Sequence, residues 1–214
     1  ARCEQNHIPW FSTVQDEPSL DFVMQFTPPR YKVASSNARN IPFLRTVADR
    51  IPPAYEIVLS VAGCSLMEIE RIVKIFDEHR RLWLLHCVAE YPCQESRLRL
   101  GNIPVLRRQF GSERIRIGYS GHEQGWRPSL MAVSLGAEMI ERHFCLSRTS
   151  FVHHIECSLT PREFSQMAEG VRARGSAVVA EEAMQTSFGM TDEEQAFLEQ
   201  QTYANDRLGA VSKM

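Results

Sequence analysis

Short apolar runs alternate with amphipathic stretches along most of the chain. Six runs read as strands: residues 8–13, 31–35, 57–60, 82–88, 115–120 and 138–144. Their starts recur about every 25 residues, the spacing of strand–helix units in a parallel sheet. Helical periodicity fills the gaps. Ser65 to Glu68 forms a capping box ahead of Ile69, Ile72, Val73 and Phe76 on one face. Phe43, Leu44, Val47 and Ala48 mark a shorter helix, and Leu100, Ile103 and Leu106 another. Thr160-Pro161-Arg162-Glu163 is a second capping box, with Pro at the first helical position, and opens a helix carrying Phe164, Met167, Ala168 and Val171. Thr191 to Glu194 is a third capping box, before Phe197 and Leu198, and residues 172–187 read as the connector to it. Two segments are therefore expected: a strand–helix body over 1–175, and a connector with a C-terminal helix over 176–214.

Polar positions choose between two architectures of class α/β. A doubly wound sheet gathers its site at one switch point, whereas a barrel spreads functional groups over the C-terminal ends of many strands. Here Ser12 and Thr13, Lys32 and Ser35, Ser60, His86, Ser120, His122 and His143 all fall at strand ends, and no Gly-rich dinucleotide fingerprint follows any strand. A (β/α)8 TIM-barrel type is expected.

Two neighbouring strands finish on histidines: "RIRIGYSGH" reaches His122 and "EMIERH" reaches His143. Adjacent parallel strands lie about 4.8 Å apart, so both imidazoles can converge on one divalent cation. Each can equally be a hydrogen-bonded rim residue. His86 reads as a hydrogen-bonded core histidine. "GYSG" is not a nucleophile elbow, because His122 stands where G-x-S-x-G needs its last glycine.

Composition narrows the partners. With 214 residues, 43% hydrophobic content and a net charge of −2, the chain suits one globular body with a real core. That near-neutral, well-mixed charge favours neither nucleic acid nor an anionic membrane. No apolar run approaches the ~20 residues of a membrane span and no signal peptide is apparent. Six scattered cysteines without a CxxC pair read as reduced thiols in a cytoplasmic protein.

The segments "YKVASSNARNIPFL", "LLHCVAEYP", "IGYSGHEQG" and "LGAEMIERHFCL", in this order, resemble the sialic acid synthase family. "FSTVQDEPSLDFV" is similar to the family's third-strand motif and "CSLTPREF" to its entry into the last barrel helix. The resemblance implies strands three to eight of the barrel. It implies condensation of phosphoenolpyruvate with an N-acetylhexosamine of the N-acetylmannosamine type, with Mn²⁺ or Mg²⁺ on His122 and His143. It further implies Thr13, Lys32, Ser35, Ser60 and Arg99 on the phosphoenolpyruvate side, with catalytic roles for Lys32 and Tyr91. The family's first two strands and its antifreeze-like domain have no counterpart in these residues. Asn37 stands at an acidic position of the family and Arg99 at an asparagine. "SVAG", from Ser60, replaces S-T-G-M, and His154 replaces an aspartate that handles the sugar. Two alternatives follow: an impaired relative that binds an anionic or phosphorylated ligand, and a structural or regulatory barrel fragment. Six strands of eight leave two open edges, so the chain is expected to be a homo-oligomer or part of a longer polypeptide.

Overall fold

The structure, a computed structural model, describes residues 2–173 and 180–211, with side chains placed as far as Gln201. The middle of the expected connector, 174–179, and the last residues, 212–214, lie outside the described residues. After a short α1 (Arg2–Gln5), strands and helices alternate. They run β1 (Thr13–Val14), α2 (Glu17–Met24), β2 (Arg30–Val33), α3 (Ile41–Arg50), β3 (Glu56–Ser60), α4 (Leu66–Ile75) and β4 (Arg81–Cys87). Next come α5 (Asn102–Phe110), β5 (Ile115–Gly121), α6 (Arg127–Ser134), β6 (Ile140–Arg142), α7 (Pro161–Arg172) and α8 (Asp192–Val211).

Each strand pairs in parallel with the next in chain order, β1 to β6, with no switch point. The sheet is curled. In hydrogen-bonding order β2 and β6 are four strands apart, which in a flat sheet is about 19 Å. Yet Lys32 Nζ on β2 stands 3.4 Å from Glu141 Oε2 on β6. Only a sheet bent into a half-barrel brings those side chains together, so the fold is α/β and TIM-barrel-like.

Alternation along the strands explains the two faces. Tyr31, Val33, Ile57, Leu59, Leu82, Leu84, Ile117 and Tyr119 form one apolar cluster with helix residues such as Leu44, Val47, Ile69, Ile72, Ile103 and Leu106. The opposite parity puts Lys32, Ser60, Cys87 and Ser120 inside the curl, and all four are buried. The three capping boxes form. The Ser65 and Thr160 side chains accept from the backbone N–H groups of Glu68 and Glu163, and Thr191 does the same for Glu194. A fourth, Asp16 with Ser19, opens α2 and escaped the sequence reading because serine replaces the usual Glu or Gln.

The outer strands are shorter than their apolar patterns. Residues 8–13 reduce to β1, because Pro9 has no N–H to donate and pairing starts only where Ser12 O accepts from Lys32 N. Residues 138–144 reduce to β6. Beyond it, Leu159 folds back to donate to His143 O and accept from Cys145 N, which covers the end of that edge.

Candidate functional site

The inner face of the curl carries a polar floor. One register row places Cys87 of β4, Ser120 of β5 and Glu141 of β6 side by side. Ser120 Oγ donates to Glu141 Oε1 at 3.0 Å, and Lys32 reaches the other carboxylate oxygen. Lys32 is only 5% exposed; an ammonium so buried needs such a partner. Thr13 is its register neighbour on β1. Ser35 Oγ accepts from Ala62 N at 3.2 Å. Ser60 Oγ is buried with no hydrogen-bond partner, a free hydroxyl on the same inner face. The Cys87 thiol sits among Lys32, Glu141, Ser120 and Ser35, and burial pushes it up to about 12.

Imidazoles form the rim above. His122 Nδ1 lies 2.6 Å from Val88 O; that ring nitrogen therefore donates, which leaves Nε2 with its lone pair free. Burial drives His122 down to about 3, so the ring is neutral. His143 is also pulled below its ordinary value by burial, and next by His154 beside it. The His122 and His143 ring centres are 5.4 Å apart at 71°. Two imidazoles sharing one ion through nitrogens about 2.1 Å from it have centres about 5 Å apart. The His122 tautomer, the lowered basicity of both rings and their spacing thus fit a divalent ion on this pair. Among the described residues no group of three or more His, Cys, Asp or Glu forms a fuller ligand set.

Tyr91 is wedged into the rim. Its ring lies 3.9 Å from that of His122 and 4.1 Å from that of His154, with His143 edge-on at 5.7 Å. Burial pushes its phenol well above the ordinary range, so it stays protonated and acts as a wall.

Behind the rim runs a buried ion pair that sequence reading missed. Arg142, one residue before His143, donates to Glu123 Oε1 at 2.7 Å, to Ser129 Oγ at 3.1 Å and to the carbonyls of Glu123 and Cys157. Glu123, one residue after His122, also accepts from Tyr119 OH at 2.7 Å. Arg142 on β6 and Glu123, two residues past the end of β5, together fix the backbone from which both imidazoles project. Gly121 is required here: a Cβ would stand 2.6 Å from Glu123 Oε2 and 2.8 Å from Tyr119 Cε1.

The structure gathers His122, His143 and Tyr91 at the rim and sets Lys32, Thr13, Ser35 and Ser60 on the inner strand ends. Arg99 is the exception. Its guanidinium donates to Gly189 O and Glu194 Oε2, both at 3.1 Å, because the C-terminal segment lies over that loop. Glu141 was legible but unread: in "ERH" it stands two residues before His143, so period two puts both on the inner face. Asn37, at the family's acidic position, donates to Gln15 O at 2.9 Å and ties the β1 exit to β2. His86 is a core histidine, 2.8 Å from Leu98 O.

Sensitivity to acid follows from the buried rings. His86 is held at about 4 and His122 at about 3, chiefly by burial, against an ordinary 6.5. Below pH 6.5 the unfolded chain binds protons that the folded rings refuse, so stability falls as pH drops toward 4. Each ring contributes a slope approaching ~1.4 kcal/mol per pH unit. Urea midpoints between pH 7 and 4.5 are expected to fall steadily, and His86→Phe to flatten the curve.

Comparison with known proteins decides the family. The NeuB family model matches residues 1–183. The chain belongs to that family. It is 34% identical over 173 residues to N-acetylneuraminate-9-phosphate synthase of Drosophila melanogaster, covering 80% of this chain and 45% of that protein. It is 32% identical over 170 residues to pseudaminic acid synthase of Campylobacter jejuni, covering 78% and 48%. The crystal structure of an N-acetylneuraminic acid synthetase from Leptospira borgpetersenii, in complex with citrate, superposes with a TM-score of 0.74 and 31% identity, covering 93% of this chain and 66% of that one. The chain spans about half the length of the curated relatives it matches, and its family match stops before α8.

Proposed function

We propose that this chain is the condensing half-barrel of a phosphoenolpyruvate-dependent synthase, corresponding to strands three to eight. It joins phosphoenolpyruvate to an amino sugar of the N-acetylmannosamine type with a divalent metal, Mn²⁺ or Mg²⁺. One observation carries the reading: a buried cation with free and lightly bonded hydroxyls lies on the same inner face as two imidazoles whose ring centres are 5.4 Å apart. Membership of a family whose named members make sialic and pseudaminic acids supports it.

Residue roles follow from placement. Lys32, with the Ser35, Ser60 and Thr13 hydroxyls, binds the anionic groups of the enol phosphate; Glu141 holds Lys32 in place until an anion competes for it. Tyr91 forms the wall on the sugar side, where the neutral His154 offers a hydrogen bond but no carboxylate. Bound at His122 and His143, a divalent ion supplies Lewis acidity toward the sugar carbonyl oxygen. Arg99 belongs to the loop that holds the C-terminal segment and has no part in anion binding in this account.

The test is phosphate release from phosphoenolpyruvate plus N-acetylmannosamine with Mn²⁺, using the full chain. Release above a no-sugar control supports the synthase. Thermal stabilisation by phosphoenolpyruvate without release supports an impaired anion-binding relative, which the His154 position and the Lys32–Glu141 pair favour as the second reading. Lys32→Ala is expected to weaken phosphoenolpyruvate binding at least tenfold and Mn²⁺ binding less than twofold, read by parallel calorimetric titrations. Equal losses would assign Lys32 to the fold.

The sheet edges suggest a partner. Phe22 and Phe26 are exposed on the β1 side, and Phe144, Leu146 and Phe151 on the β6 side. We propose that a second copy or further polypeptide covers them. Slow amide exchange of β1 in a sedimenting dimer is the expected outcome; slow exchange in a strict monomer opposes it.

No described helix is long and apolar enough to cross a membrane. Cys3 is exposed, the other five cysteines are buried, and all six are free.

A further inference from the structure

α8 belongs to none of the strand–helix units, yet its first turns lie across the mouth of the curl. Phe197 stacks on Tyr91 with ring centres 4.7 Å apart and meets the edge of His154 at 6.2 Å. Leu198 packs with Ala62, Cys87 and Ala89, which lie at or just past the ends of β3 and β4. Glu194 is fully buried. Its carboxylate accepts from Ala89 N at 3.1 Å and from Arg99 at 3.1 Å, and it closes the capping box with Thr191.

The segment leading to α8 is fastened differently. Ala183 O accepts from Leu100 N at 2.7 Å, Asn102 and Ser187 exchange two hydrogen bonds, and Gly189 N donates to Cys64 O. Gly63, at φ +67°, permits the close approach: a Cβ there would meet Met190 Cγ at 2.4 Å. The root at 183–189 is thus held by directional bonds to the backbone and to Asn102. The first turn of α8 is held by the Glu194 carboxylate and by Arg97, which donates to both Glu193 carboxylate oxygens; Phe197 and Leu198, the tip one turn further on, add apolar contact. Phe197 and Leu198 thus lie over Tyr91 and Cys87 at the β3–β4 end of the mouth, while Glu141 on β6 stays partly open to solvent.

We propose that α8 is an autoinhibitory strap: Phe197 and Leu198 cover Tyr91 and Cys87 in cis, and a ligand gains the β3–β4 part of the inner face, beside His122, only when the tip lifts about its fastened root. The inference rests on the proposed function only in taking this inner face as the ligand site.

Cys87 beneath Leu198 reports opening without any ligand. In the full-length wild-type chain, maleimide labelling of Cys87, located by peptide mass spectrometry, is expected to depend little on urea below the unfolding transition, the mark of local opening. Cys145 and Cys157, buried on the β6 side, are expected to label with the steep urea dependence of global unfolding. In Phe197→Ala/Leu198→Ala, Cys87 labelling is expected to accelerate at least tenfold, and Mn²⁺ alone to bind at least threefold tighter. Cys87 sharing the urea dependence of Cys145 and Cys157 in the wild type overturns the strap, and that arm decides even where the double variant loosens throughout. A double variant that folds yet labels Cys87 no faster also overturns it. Failure of the functional reading looks different: neither protein binds Mn²⁺, while the labelling result stands.

Discussion

Arg142→Met is expected to destabilise the protein by about 3–5 kcal/mol, because it leaves the Glu123 carboxylate buried without its counter-charge. Arg142 is fully buried in its side chain and Glu123 nearly so, so water cannot take over. Four acceptors lose their donor at once: Glu123 Oε1, Ser129 Oγ and the carbonyls of Glu123 and Cys157. For a chain of this size ~3 kcal/mol corresponds to a fall in Tm of about 6–12 °C. Urea unfolding checks it. Adding Glu123→Leu is expected to recover part of the loss, since an apolar pair of similar volume removes the orphaned charge. Recovery is incomplete because Tyr119 OH loses its acceptor. A loss below ~1 kcal/mol for the single variant would mean that the pair does not hold β5 and β6 in place.

The second large effect concerns binding. His122→Ala together with His143→Ala is expected to abolish Mn²⁺ binding in calorimetric titration while leaving the fold intact by circular dichroism. Removing His122 leaves Val88 O without the ring N–H at 2.6 Å, so a modest stability loss of ~1 kcal/mol accompanies it. His154→Ala distinguishes ligand from neighbour. His154 is separated from His122 by the Tyr91 ring, so its loss is expected to change Mn²⁺ affinity less than threefold. Titration of the double variant that matches the wild type would remove the metal from the account.

Much of this was legible because strand and helix periods are local properties. Six strands, three capping boxes and the inward set Lys32, Ser60, Ser120, His122 and His143 follow from alternation and cap chemistry. The single-direction strand order follows from polar residues at every strand end. Other features were not legible, for identifiable reasons. The Arg142–Glu123 pair joins β6 to the loop after β5, and nothing in either segment alone says that the two charges meet behind the sheet. Lys32 and Glu141 are more than a hundred residues apart and touch only because the sheet curls. Arg99 looked like an anion ligand on its place in the family pattern. Its partner, Glu194, sits in a segment outside the family match, so no motif could have redirected it. The residues 8–13 pattern overstated a strand because apolar alternation does not register that Pro9 lacks a donor.

The central claim is that His122, through Nε2, and His143 share one ion above the buried Lys32 floor. Pulsed electron paramagnetic resonance of Mn²⁺ bound to the full chain carrying ¹⁵N-histidine tests it most directly. The account predicts couplings from two imidazole nitrogens, one lost in His122→Ala and the other in His143→Ala. Coupling to no histidine nitrogen, or a signal unchanged in both variants, would contradict it.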